Sequence, residues 1–209
     1  MVSRHYFEFD YDSKQRFCSY WHQINEILSL RPRGVLEVGI GNGFVSNYLK
    51  NKGIQLVSLD VDTGLNPDVN GSVLATPFQD NAFDVVFCCQ VLEHLPYSYF
   101  GKALQELHRV STKRVVLSLP DVTTVYRVNV ELPRINPIKR LIPHPFPRPP
   151  RRVFDDEHYW EIGMVGYPLK KIQVTLRESG LKVINTYRVF EFIYHRFFVL
   201  EKINHRPSR

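Results

Sequence analysis

Short apolar runs alternate with segments of helical periodicity from residue 34 to 119. A three-glycine turn, Gly39-Ile40-Gly41-Asn42-Gly43, stands at the first junction. Strand followed by helix, repeated, is the pattern of an open parallel sheet with helices on both faces. The expected strands are Val35–Val38, Gln55–Asp60, Ala82–Cys89 and Arg114–Leu119. The near-continuous apolarity of 82–89 fits a strand covered on both faces. Helices are expected over 13–30, from Phe44 to Lys50, and from Phe100 to Val110 with Ser98 as N-cap. The apolar face of the first helix is expected to hold Phe17, Tyr20, Trp21, Ile24, Ile27 and Leu28. A last helix is expected between Pro168 and Gly180. Two closing strands, 181–190 and 197–202, lie too close together for a parallel crossover, so they are expected to form an antiparallel hairpin.

The 209 residues suit one domain, here 1–209, with a frayed tail over 204–209. Hydrophobic residues are 44% and charged residues 23%, which excludes a disordered chain, a collagen or a coiled coil. No apolar stretch reaches membrane-spanning length. The start has no long apolar run of the secretory kind. Three cysteines, two of them the adjacent Cys88 and Cys89, fit reduced thiols in the cytoplasm rather than a disulfide framework. None is spaced with His or Cys as a zinc partner, so no metal is expected.

The net charge of +6 is local. Arg134, Lys139, Arg140, Arg148, Arg151 and Arg152 fall within residues 133–152, which contain no acid and seven of the fourteen prolines. The rest is roughly neutral, unlike a nucleic-acid-binding surface. Residues 120–160 are therefore expected to be an irregular Pro/Arg-rich insertion or lid, with the prolines favouring an extended strap. Its cations suit an acidic substrate or peripheral contact with an anionic membrane through 134–152, or belong to a plain solvated loop.

A glycine turn between strand and helix lets a ligand approach the backbone, and the helix N-terminus adds partial positive charge. A dinucleotide fingerprint would need a small residue where Phe44 stands, and Glu37 would repel a pyrophosphate. An acid there suits a ligand with a cationic end. Asp60 ends the second strand, where a carboxylate accepts both hydroxyls of a ribose. Together these features point to S-adenosylmethionine.

VLEVGIGNGFVSNYL (35–49), SLD (58–60), ATPFQDNAFDVVFCCQVLEHLP (75–96) and RVVLSLP (114–120) resemble, in order, the motifs of class I SAM-dependent methyltransferases. The likeness is greatest to the small-molecule group that includes the quinone-biosynthesis enzymes. The resemblance implies a doubly wound, mostly parallel seven-stranded sheet with an antiparallel C-terminal hairpin. It implies that Gly39, Gly41 and Gly43 line the methionine part, with Glu37 holding the loop or the ammonium group. Asp60 would bind the ribose and Val61 would pack on adenine. Ser72 and Val73 stand where the family's adenine contact falls, with Ser72 in place of an Asp. Gln90 would lie under the cofactor. The product would be S-adenosylhomocysteine.

Two clusters remain for the acceptor. His94, at the mouth of the site, and His158 are candidate general bases for a hydroxyl nucleophile. Asp155, Asp156, Tyr159, Trp160 and Glu161 surround His158, and an aromatic ring among carboxylates suits a polyhydroxyl substrate. The expected activity is methyl transfer to an oxygen of a small molecule or a glycan or lipid precursor. Alternatives are an RNA or protein methyltransferase and a non-catalytic SAM-binding regulatory domain. Cys89-Gln90-Val91-Leu92 lacks the N/D-P-P-Y/F run of amino-group nucleic-acid enzymes.

Overall fold

The computed structural model describes residues 3–151 and 157–203. The expected tail 204–209, with Arg152, Asp155 and Asp156, lies outside them. Strands β1 (Gly34–Val38), β2 (Gln55–Asp60), β3 (Val69–Asn70), β4 (Phe83–Cys89) and β5 (Ser111–Pro120) alternate with helices α1 (Lys14–Ser29), α2 (Phe44–Asn51) and α3 (Phe100–Val110). Strands β6 (Val125–Val130) and β7 (Ile138–Pro143) follow, then α4 (Leu169–Glu178), β8 (Leu181–Arg188) and β9 (His195–Lys202). The main sheet has seven strands in the order β3-β2-β1-β4-β5-β9-β8. Its first five strands are parallel, and β9 runs antiparallel to both β5 and β8. The doubly wound sheet with a closing hairpin is therefore present as expected.

The period of two along each strand sorts the core into two layers. Leu36, Val38, Val86, Cys88, Val115 and Leu117 face α3 and α4 through Phe100, Leu104, Ile172 and Leu176. Val35, Val85, Phe87 and Val116 face α1 and α2 through Tyr20, Ile27, Val45 and Leu49. Among the described residues no helix is long and apolar enough to cross a membrane.

Four expectations change. Phe17 and Trp21 are exposed; the rest of the expected α1 face holds, with Tyr20 and Ile27 buried and Ile24 and Leu28 packed against the core, and Ser19 and Gln23 are buried beside them. Ser19 is buried because its hydroxyl meets His195 Nδ1 on β9 at 2.7 Å. Ser98 does not cap α3: it lies in the 3-10 turn Tyr97–Tyr99 that leads into the helix. The stretch 120–160 is not an irregular strap throughout, because β6 and β7 pair in register from Val125↔Pro143 to Val130↔Ile138. The closing strand expected at 197–202 starts two residues earlier, at His195.

A knot of charge anchors the hairpin to the sheet. Arg196 Nε donates to Asp121 Oδ2 at 2.6 Å, and Arg188 donates to the carbonyls of Asp121 and Thr123 at 2.8 and 2.7 Å. Higher on the hairpin, Lys139 pairs with Glu191 at 2.7 Å.

Candidate active site

The carboxyl ends of β1, β2, β4 and β5 open into one crevice, and the strand order reverses between β1 and β4. That is where open α/β sheets take their ligands. Gly39, Gly41 and Gly43 all have positive φ, at 84°, 54° and 73°. At Gly39 a Cβ would stand 2.2 Å from Val91 Cγ2, so the chain can only pass there without a side chain. The Gly39 amide donates to the Leu59 carbonyl at 2.9 Å, which ties the turn to the end of β2.

Asp60 holds the same turn from the other side. Its Oδ2 accepts from the Ile40 amide and its Oδ1 from the Asp62 amide, each at 2.9 Å. Every carboxylate oxygen has a further lone pair, so the group can brace the loop and still receive two hydroxyls. Glu37 is buried, and its Oε2 has no hydrogen-bond partner. Burial pushes its carboxyl well above the ordinary range; Lys50 opposes this and Asp60 and Asp68 add to it. An unpartnered buried carboxylate beside a glycine turn is a fitting receptor for a cationic group.

Val61 is exposed, with its apolar face available. Ser72 Oγ accepts from the Leu74 amide at 3.2 Å. Val73 packs into the core with Leu59, so its side chain contributes shape from below rather than a contact surface. Gln90 adopts a positive φ of 56°. In its better orientation its amide nitrogen donates to Glu93 Oε1 at 3.2 Å, and its oxygen accepts from Ser118 Oγ at 3.1 Å.

Glu93, His94 and His158 come together although 158 is remote in sequence. Each offers a ligand-type atom within 4.8 Å of the other two. The Tyr159 amide donates to the Glu93 carbonyl at 2.9 Å, which joins the two segments. His94 Nδ1 meets the Glu157 carbonyl at 2.9 Å, and His158 Nδ1 meets Glu161 Oε1 at 2.8 Å. Glu93 is fully buried, and its Oε2 has no hydrogen-bond partner. Burial pushes its carboxyl up to about 8, against the pull of its own backbone amide and of His158. Desolvation lowers the His94 imidazole, and the Glu157 carbonyl opposes it.

Two residues change role. Trp160 is completely buried among Tyr97, Phe100 and Tyr167, and its Nε1 donates to the Leu95 carbonyl at 3.0 Å. It has no open face for a sugar ring, so its assignment to substrate is corrected to core packing. Glu161 is also fully buried and accepts from Tyr194 at 2.6 Å as well as meeting His158, so it positions His158 rather than receiving substrate. Tyr159 remains exposed at the rim.

Sequence reading missed Tyr6 and Tyr194. The Tyr6 ring lies against Gly41, 3.8 Å from where a Cβ would be. Burial raises its phenol to about 12, with Tyr11, Asp60, Glu93 and Glu157 adding to the rise. The Tyr6 phenol thus lies within electrostatic reach of both Asp60 at the glycine turn and Glu93 and Glu157 beside the histidine pair. Neither tyrosine lies in a motif; only the folded chain brings them there.

A parallel sheet with this order, a three-glycine turn after β1 and a carboxylate closing β2 define the class I methyltransferase fold. Residues 36–119 match the family model described as a methyltransferase domain. A curated relative, an uncharacterized protein of Methanocaldococcus jannaschii, is 34% identical over 82 residues. That alignment takes in 36% of this chain and 35% of the relative, so the chain spans about a third of its length. The CcbJ methyltransferase of Streptomyces caelestis is similar at a TM-score of 0.64 and 13% identity, over 98% of this chain and 97% of that one. The magnesium protoporphyrin IX methyltransferase of Synechocystis, solved with bound SAH, is similar at 0.61 and 14%, over 95% and 92%. The 1,6-didemethyltoxoflavin-N1-methyltransferase of Burkholderia thailandensis gives 0.60 and 15%, over 91% and 78%. At these identities the likeness is one of fold.

Proposed function

We propose that the chain transfers a methyl group from S-adenosylmethionine to an oxygen of an acceptor that is a glycan or lipid precursor. The observation that carries this is adjacency: Val91, packed against Gly39, leads straight into the Glu93/His94/His158 cluster and sets it beside the Gly39–Gly43/Glu37/Asp60 turn. Bound there, the cofactor supplies a methyl on a cationic sulfur and leaves as S-adenosylhomocysteine. Asp60 would accept the ribose hydroxyls and Glu37 the ammonium group, with Val61 against adenine and Ser72 and Gln90 lining the crevice. Such displacement needs alignment and dryness more than acid–base force. A hydroxyl nucleophile must also lose its proton, and His94 and His158 are the groups placed to handle it.

The hairpin supports an acceptor held at a membrane. On one face of β6–β7, Tyr126, Val128 and Val130 lie with Ile138, Arg140 and Ile142. These apolar side chains, with Leu132 and Ile135, are 37–58% exposed. Arg134, Arg140, Arg148 and Arg151 are exposed around them. Exposed apolar groups ringed by cations complement an anionic bilayer surface.

The test is calorimetry with S-adenosylhomocysteine, then radiolabelled methyl transfer into separated lipid, glycan, RNA and protein pools. Binding plus label in the lipid or glycan pool is expected. Label in RNA or protein, or binding with no turnover on any pool, would overturn the reading. Sedimentation with phosphatidylserine vesicles tests the hairpin: Arg134→Glu with Arg140→Glu should release the protein, each lost cation weakening partition about fivefold. Equal binding to neutral vesicles would remove the electrostatic part.

A further inference from the structure

We propose that Glu93, His94 and His158 form a binding site for one divalent transition-metal cation on the acceptor side of the crevice. Three independent observations converge. The first is composition and distance: one carboxylate and two imidazoles bring their ligand atoms within 4.8 Å of one another. Imidazole with carboxylate suits Mn²⁺, Fe²⁺, Co²⁺ or Zn²⁺.

The second is Glu93. It has no exposed surface, its Oε1 is engaged by the turned Gln90 amide at 3.2 Å, and its Oε2 has no hydrogen-bond partner. A buried carboxylate oxygen left in this state is costly, and a cation supplies what the protein does not.

The third is the support of the two rings. His94 Nδ1 is set on the Glu157 carbonyl at 2.9 Å, and His158 Nδ1 on Glu161 Oε1 at 2.8 Å. Donation from Nδ1 puts the lone pair on Nε2, the ligating tautomer. A backbone carbonyl and a carboxylate are the usual outer partners of metal-binding histidines. Glu161 is itself fixed by the Tyr194 hydroxyl at 2.6 Å. The ring centroids are 4.8 Å apart with the planes at 67°, and two imidazoles so close repel when both are protonated. A shared cation removes that conflict.

Three protein ligands among the described residues are the number found in catalytic rather than structural sites. What the cation would do rests on the methyl-transfer reading: by occupying both imidazole lone pairs it would take over from His94 and His158, holding the acceptor oxygen and easing loss of its proton itself. Its binding does not rest on that reading.

The test uses the full chain after chelator treatment and dialysis, titrated with Co²⁺ and followed by visible d–d absorption and calorimetry. One Co²⁺ per chain, displaced by Zn²⁺, is expected. His94→Ala, His158→Ala and Glu93→Gln should each weaken binding at least tenfold. Tyr194→Phe keeps all three ligands and removes a hydroxyl that meets both Glu161, at 2.6 Å, and His158 Nδ1, at 3.2 Å, and should weaken binding severalfold; it decides the matter if a ligand variant fails to fold. No Co²⁺ band at millimolar metal, or affinity unchanged in the His94 and His158 variants, overturns the proposal. S-adenosylhomocysteine binding is measured on the same samples. Its retention without metal uptake sinks this inference alone, and its absence sinks the functional reading instead.

Discussion

Glu37 and Gly39 show how closely stability and ligand binding are opposed in this crevice. Glu37 keeps a carboxylate oxygen buried without a partner, which costs stability in the empty protein. Glu37→Gln should therefore raise the thermal midpoint by a few degrees, about 1 kcal/mol. The same change should weaken S-adenosylmethionine binding tenfold or more. Paired melting curves and calorimetry check both halves, and loss of stability would show that the carboxylate has a partner after all. Gly39→Ala places a methyl 2.2 Å from Val91 Cγ2 at a φ of 84°, so it should destabilise by about 2 kcal/mol. Adding Val91→Ala should recover only part of this, because the steric clash is relieved and the backbone strain is not.

At the scale of elements, β4 and the glycine turn were legible because their signals are local. A short apolar run bounded by polar residues fits a strand covered on both faces, and three glycines at alternate positions mark a turn with special backbone angles. The β6–β7 hairpin was not recognised: Tyr126, Val128 and Val130 alternate with Arg127 and Asn129, but Arg140 breaks the alternation of β7, prolines crowd the flanking segments, and the pairing depends on a register that no short window contains. Trp160 misled for a related reason, since its neighbours in sequence are acids whereas its neighbours in space are Tyr97, Phe100 and Tyr167. Trp160→Ala should accordingly cost about 3–5 kcal/mol in denaturant melts. A wholly retained stability would return the indole to the surface.

The segment before β4 is tied to α3 by a charged knot that also escapes sequence reading. Arg109 donates to Glu106 Oε1 and Asp80 Oδ1, each at 2.8 Å, and Glu106 Oε2 accepts from the Thr76 amide at 2.9 Å. Arg109 holds the Glu106 carboxyl down to about 2, from an ordinary value of 4.5. A depressed carboxyl contributes its stability above its unfolded pKa and loses it as the pH falls through its folded one. Chemical-denaturation midpoints should thus drop between about pH 4.5 and pH 2, and Glu106→Gln should flatten that drop.

For the whole molecule, the candidate site is a product of distance in sequence. The turn at 39–43, the carboxylate at 60, the pair at 93–94 and the imidazole at 158 meet only when the parallel strands are side by side. Candidate cofactor-side residues such as Gly39 and Asp60 could be named in advance because each sits at a strand end, a position topology fixes. Tyr6 and Tyr194 could not, since they come from connections that the sheet order leaves unconstrained, and His158 was named only from the cluster of acids and aromatics around it.

That sheet order also has a consequence for synthesis on the ribosome. Strand β9 lies between β5 and β8, although it is made after both. Until residues 195–202 have emerged, Val116 and Leu117 present an open, apolar backbone edge, a template for pairing with another nascent chain. The growing polypeptide thus passes most of its translation with its middle unzipped, and a stall before β9 would leave a sticky intermediate rather than a smaller folded protein.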